Sequence, residues 1–247
     1  MDQYVRELKN SGANGTDTIP AVVMKDAYCI WFREILHATN LSLCTGIFPN
    51  CLKTTKILPS VKKDKDPSQP SSYRPIFSLN MLAKLIERAG FDQLQQHCDK
   101  YNLICKEQHG GRSKHSTTTN LLEVQETIQR AKDQGLKSAC MGIDLSAAYD
   151  LCSHQVLDQQ CRLIGACFLT RKFIGSFLGS RKQICEVEGV RSTTLLSLNM
   201  GLCQGGRSSG LLFAIHTNLL PDSATTNNST TKNSKKWENK NQHQSVR

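Results

Sequence analysis

Residues 139–150, A-C-M-G-I-D-L-S-A-A-Y-D, place a carboxylate and an aromatic ring where they could act together. The apolar first half predicts a short buried strand over 139–143, which would put Asp144 at the rim of a sheet. A carboxylate held there can bind a hard cation such as Mg²⁺ together with substrate phosphates. The alternative is an N-cap role, in which Asp144 or Ser146 accepts amide hydrogen bonds at the start of a helix.

Two basic segments have the residue types that bind phosphate. Arg74 stands beside a proline and follows a lysine-rich loop over 62–70, and a guanidinium binds phosphate in a bidentate manner. The segment 108–117, Q-H-G-G-R-S-K-H-S-T, combines paired glycines with cations that suit a phosphate backbone. The alternative for the loop before Arg74 is a solvated charged loop, and the alternative for 108–117 is a flexible turn before a helix.

A third segment, 201–210, reads G-L-C-Q-G-G-R-S-S-G and leads into an apolar run. Its glycines would let the backbone approach a ligand closely, so Gln204 could lie against a base pair. The alternative is an ordinary loop that leads to a core helix.

Composition limits the class of protein. The 247 residues suffice for one large domain or two small ones, and the net charge of +10 favours polyanionic partners, although a basic charge also serves solubility. The eleven cysteines include no C-x-x-C pair, which predicts reduced thiols in an intracellular protein. We expect no signal peptide, because the first 20 residues carry charges and no apolar core segment. We expect no membrane span, because no apolar run approaches about 20 residues. The compartment is otherwise open.

Hydrophobic periodicity predicts an α+β fold. Helices are expected over 21–43 (one or two), 78–96, 117–131, 156–165, 173–178 and 211–219, and strands over 56–59, 139–143 and 182–190. The predicted organisation is a helical extension over 1–55, a main domain over 56–222 and a tail over 223–247. The tail is too polar to offset its ordering entropy and is expected to be disordered.

Nine short segments in order resemble the reverse transcriptase domain of non-LTR (LINE-type) retrotransposons, from about residue 8 to residue 222. They are N-G-T-D-T-I-P (14–20), T-G-I-F-P-N-C-L-K (45–53), I-L-P-S-V-K-K (57–63), S-Y-R-P-I (72–76), E-Q-H-G-G-R-S-K-H-S-T-T (107–118), I-D-L-S-A-A-Y-D (143–150), G-S-F-L-G-S-R-K-Q (175–183), G-L-C-Q-G (201–205) and L-L-F-A-I-H-T-N-L-L-P (211–221). The resemblance implies the fingers and a partial palm of a polymerase that uses an RNA template, a DNA primer, dNTP and Mg²⁺.

The same resemblance implies residue roles. Asp144 would be a catalytic carboxylate that binds metal, and Tyr149 would lie under the sugar, where a 2′-hydroxyl would strike it. The remaining implied contacts with dNTP are Lys63, Lys65, Arg74, Gln204 and Gly205, and those with the template are Arg112 and Lys114. Asp150 would be structural.

The chain also departs from the family pattern. It contains no adjacent Asp-Asp pair, whereas the family supplies its further metal ligands from an aromatic-Ala-Asp-Asp hairpin. Cys203 replaces the usual proline and Gly111 stands where phenylalanine is expected. We also expect the thumb to be absent. We therefore expect a domain truncated before the Asp-Asp hairpin, with a frameshift near residue 223 as one hypothesis. The alternatives are a non-catalytic nucleic-acid-binding remnant and an inert open reading frame.

Overall fold

The computed structural model describes residues 1–10, 13–112 and 114–220. These residues form a mixed helix-and-sheet fold, as the sequence predicts. The helices are α1 (Asp2–Arg6), α2 (Ala21–Asp26), α3 (Tyr28–Thr45), α4 (Met81–Lys100), α5 (Thr117–Asp133), α6 (His154–Leu163), α7 (Phe168–Leu178) and α8 (Ser208–His216). The strands are β1 (Thr54–Val61), β2 (Tyr73–Ser78), β3 (Arg181–Val187), β4 (Val190–Arg191) and β5 (Leu196–Leu198).

The sheet is mixed, in the order β2-β1-β3-β4, with β5 also paired to β3. β1 and β2 form an antiparallel hairpin from Lys56↔Ser78 to Val61↔Tyr73. β1 and β3 are parallel, and the long connection between them carries α4 to α7. Parallel neighbours require such a crossover, whereas the hairpin needs only a short loop.

The outer edge of β2 is closed by its own sequence and by a distant loop. Lys62 N donates to Ser72 O at 2.8 Å, so residues 72, 74 and 76 form the hydrogen-bonded pairs with β1. The backbone N–H and C=O groups of residues 73, 75 and 77 therefore point away from β1. Pro75 has no N–H to expose at this edge, and Phe77 N donates to Gln204 O at 3.0 Å. Both features prevent another chain from extending the sheet here.

The main core lies between α4, α6, α7 and α8. Apolar residues of α4 at helical spacing are buried, including Leu94 and Ile86. Four phenylalanine rings pack at centroid separations of 5.0 to 6.2 Å, mostly edge to face: Phe48, Phe91, Phe173 and Phe177. Each helix of the described residues is too short or too polar to cross a bilayer.

Short-range hydrogen bonds define the helix ends. Ser116 and Thr119 form a capping box at the start of α5, and the Ser153 side chain caps α6. Gly165 follows α6 with a φ of 76°, where Gly165 N donates to Arg162 O and Ala166 N to Cys161 O. This is a Schellman ending, which places glycine in the left-handed region.

Several predicted elements need correction. The strand predicted over 139–143 is wrong, because residues 136–145 have no regular secondary structure and Met141 is 82 % exposed. A strand needs a partner, and in the described part of the chain none of the strands pairs with this segment. The helix predicted over 78–96 begins only at Met81, because Ser78 belongs to β2, a strand that the prediction missed. The tail predicted over 223–247 lies outside the described residues.

Candidate functional site

The loop 201–206 joins two parts of the molecule. On one side, Gly201 N donates to Cys152 O and Leu202 N to Tyr149 O, both at 2.8 Å. On the other side, the loop accepts the hydrogen bond from Phe77 N of β2. These backbone bonds bring the turn at 149–152 and the edge of β2 to one surface.

Glycine permits this close docking. Gly201 has a φ of 86°, and a Cβ at this position would lie 2.7 Å from Asp150 O. A side chain would therefore be strained by its backbone conformation and would also push the loop away from residue 150. The requirement for glycine at position 201 comes from this contact.

Arg74 lies on the same strand face as Ile76, which neighbours Gly205. A Cβ on Gly205 would be 3.8 Å from Ile76 Cγ2, which places Gly205 beside the exposed Ile76 side chain. Residues 74 and 76 share one face of β2 because side chains alternate along a strand. The exposed lysines Lys63 and Lys65 lie further away, in the loop at the tip of the β1–β2 hairpin.

Tyr149 is held against α8. The rings of Tyr149 and Phe213 stack with their centroids 4.8 Å apart and an interplanar angle of 27°. The rings of Phe213 and His216 are also stacked, with centroids 6.4 Å apart and an interplanar angle of 13°. Burial lowers the pKa of the His216 imidazole, which favours its neutral form beneath the rings. Stacking and the hydrogen bond from Leu202 fix both the ring and the backbone of Tyr149.

Asp144 lies in the exposed segment before this turn. Asp150 accepts a hydrogen bond from Gln204 Nε2 at 3.0 Å, and so is already engaged. Among the described residues, no cluster of three or more His, Cys, Asp or Glu side chains could hold a metal ion. The described residues therefore do not fit a pair of Mg²⁺ ions about 3.5–4 Å apart, because each ion needs oxygen ligands at about 2.0–2.1 Å and more than one carboxylate is required.

Arg112 and Lys114 lie in a different loop. Arg112 Nη1 donates to Cys105 O at 2.8 Å and more weakly to the carbonyls of Lys106 and Gln108, which folds the loop on itself. A Cβ on Gly111 would lie 2.5 Å from Gly210 O. The loop thus packs on the start of α8 through two glycines, and phenylalanine could not occupy position 111 in this conformation.

Sequence reasoning missed Glu87, which is 2 % exposed. Its Oε1 accepts hydrogen bonds from Ser208 N at 3.0 Å and Ser208 Oγ at 2.6 Å, and so it holds the N-terminus of α8. Burial raises the pKa of this carboxyl, and the Ser208 hydrogen bonds oppose that rise. The available signal was a single acidic residue inside the apolar stripe of α4.

Residues 61–237 match the family described as reverse transcriptase (RNA-dependent DNA polymerase). The chain is 28 % identical over 223 residues to the probable RNA-directed DNA polymerase from transposon BS of Drosophila melanogaster, covering 89 % of this chain and 24 % of that protein. It is 27 % identical over 222 residues to the RNA-directed DNA polymerase from mobile element jockey of Drosophila funebris, covering 90 % of this chain and 24 % of that protein.

The chain spans about a quarter of the length of these curated relatives. The family match includes residues 223–237, which belong to the predicted disordered tail. The match covers most of the chain, and the relatives are transposon proteins, so the resemblance stated above is confirmed. This chain belongs to the reverse transcriptase family and carries a reverse transcriptase domain of the non-LTR retrotransposon type.

Proposed function

We propose that this chain forms the fingers and a partial palm of an RNA-directed DNA polymerase, the part that binds dNTP and a primed RNA template. The observation that carries the proposal is the docking of loop 201–206 between the turn at 149–152 and β2. In the proposal, Tyr149, Gln204, Gly205 and Arg74 line one nucleotide site.

Each of these residues has a chemical role in the proposal. Gln204 and Gly205 line the pocket around the new base pair. Arg74 contacts the triphosphate, since a guanidinium binds phosphate oxygens in a fixed fork geometry. Lys63 and Lys65 reach the triphosphate only if the hairpin tip moves towards the site. Tyr149 presents its ring to the sugar and rejects a 2′-hydroxyl by steric contact. Arg112 and Lys114 lie along the template.

The proposed metal chemistry is incomplete within the described residues. Asp144 is the one metal ligand that the resemblance assigns, and nucleotidyl transfer with two Mg²⁺ ions requires more than one carboxylate. We propose that polymerisation requires carboxylates from outside the described residues. A second candidate function is nucleic-acid binding without chemistry, favoured by this incomplete ligand set and the net charge of +10.

The test is Mg²⁺-dependent extension of a DNA primer on an RNA template, with binding of the same duplex measured by fluorescence anisotropy. Asp144→Ala is the test variant, and Asp133→Ala is the matched control, because Asp133 is an exposed aspartate at the end of α5. Extension by the parent and the control, but not by Asp144→Ala, supports the polymerase. Binding without extension supports the second candidate, and no binding to the duplex refutes both.

A further inference from the structure

We propose that Asp150 is a positioning residue that sets which end of the Gln204 side-chain amide faces the bound nucleotide. The inference rests on the proposed function, because it assumes that Gln204 lines the nucleotide site. Gln204 is held at two points: its Nε2 donates to Asp150 Oδ1 at 3.0 Å, and its backbone carbonyl accepts from Phe77 N at 3.0 Å.

The chemistry of the partner decides the orientation of the amide. An ionised carboxylate only accepts hydrogen bonds, whereas a glutamine amide has a donor end and an acceptor end. Asp150 must therefore face the NH₂ group of Gln204, and the Oε1 atom is left as the free end. A bound nucleotide meets a fixed acceptor at this position, instead of an amide that presents either end.

Asp150 is itself held in place by its backbone. Asp150 N donates to Ala147 O at 2.9 Å, and the contact with Gly201 leaves no space between the two chain segments. The preceding residue is Tyr149, whose ring α8 fixes by stacking. One turn therefore positions the sugar-facing ring and also orients the amide, so the two are coupled by adjacent backbone.

The test measures dNTP affinity without chemistry. An RNA template with 2-aminopurine at the templating position is annealed to a primer that lacks a 3′-hydroxyl, and dNTP is titrated in Mg²⁺ while fluorescence is recorded. We expect Asp150→Ala and Gln204→Met each to weaken dNTP binding by about fivefold, the order expected for one partly exposed charge-assisted hydrogen bond. Asp150→Asn keeps an acceptor oxygen and should bind within about twofold of the parent.

A double-variant cycle separates positioning from a general structural effect. If Asp150 acts through Gln204, Asp150→Ala/Gln204→Met binds dNTP no more weakly than Gln204→Met alone. The side-chain ¹⁵N amide resonance of Gln204 should shift in Asp150→Ala and stay unchanged in the exposed-aspartate control Asp133→Ala.

The outcomes that overturn the inference differ from those that overturn the proposed function. Parent-like dNTP affinity in Asp150→Ala, with weakened binding in Gln204→Met, removes Asp150 from the positioning role and leaves the proposed function in place. Additive losses in the double variant also overturn the inference. If the parent shows no dNTP-dependent signal, the proposed function fails and this inference fails with it.

Discussion

Gly201→Ala should destabilise the protein by more than backbone strain alone. An alanine with a φ near 86° costs about 1–2 kcal/mol, because its Cβ crowds the following carbonyl. At this position the new Cβ would also lie 2.7 Å from Asp150 O, and real Cβ contacts essentially never fall below 3.0 Å. The loop must therefore move by at least about 0.3 Å from the turn at 149–152.

That movement weakens the hydrogen bonds from Gly201 N to Cys152 O and from Leu202 N to Tyr149 O. Each contributes about 1 kcal/mol, so loss of both bonds brings the expected total for Gly201→Ala to about 3–4 kcal/mol. The matched control is Gly165→Ala, since Gly165 has a φ of 76° and a Cβ there would meet no described atom within 4 Å. The control should cost about 1–2 kcal/mol.

Urea denaturation followed by circular dichroism measures the difference. Both variants lose the same glycine entropy from the unfolded chain, so this effect cancels between them. A remaining gap of about 2 kcal/mol corresponds to a midpoint difference of about 1 M urea. Equal destabilisation by the two substitutions would refute the close docking of loop 201–206 on residue 150.

The remaining predictions concern Glu87, the helix caps and Asp144. Burial raises the folded-state pKa of Glu87 above its ordinary value of 4.5, so its ionisation reduces stability as pH rises from 4.5 towards the folded-state pKa. The free energy of unfolding of Glu87→Gln should therefore increase relative to that of the parent across this pH interval. Urea denaturation at several pH values measures this difference, and a difference that does not change with pH would contradict the prediction. Ser116→Ala should remove the cap of α5 at a local cost of about 1 kcal/mol. Because α5 has no buried residue, amide hydrogen exchange in α5 should become faster while the global free energy of unfolding changes little. Ser153→Ala is the control, because α6 contributes to the core and the loss of its cap should lower the global free energy of unfolding. Equal losses of global stability in the two variants would argue against a weakly packed α5. Asp144→Ala should leave RNA binding unchanged or slightly stronger, because it removes a negative charge near phosphate, and a clear loss of affinity by anisotropy in a folded variant would count against that placement.

The sequence by itself determined the family and most of the helices. α5 follows the predicted 117–131 within two residues at its end, because periodicity and a capping box are local properties of the chain. The motifs were also sufficient for the family, since nine short segments in one order require no knowledge of their contacts. The fingers and palm assignment and the residue roles stay predictions.

The tertiary structure decided what depends on distant partners. β2 was missed because Tyr73–Ser78 contains a proline and no clear alternation, and it exists because β1 supplies its hydrogen bonds. The strand predicted over 139–143 failed for the opposite reason, since a short apolar run stays irregular where no described strand pairs with it. The hydrogen bond between Ser208 and Glu87 joins residues 121 positions apart, and the one between Gln204 and Asp150 joins residues 54 positions apart. A helix satisfies its backbone within a few residues, whereas strands, docked loops and buried carboxylates are satisfied only after the chain has folded.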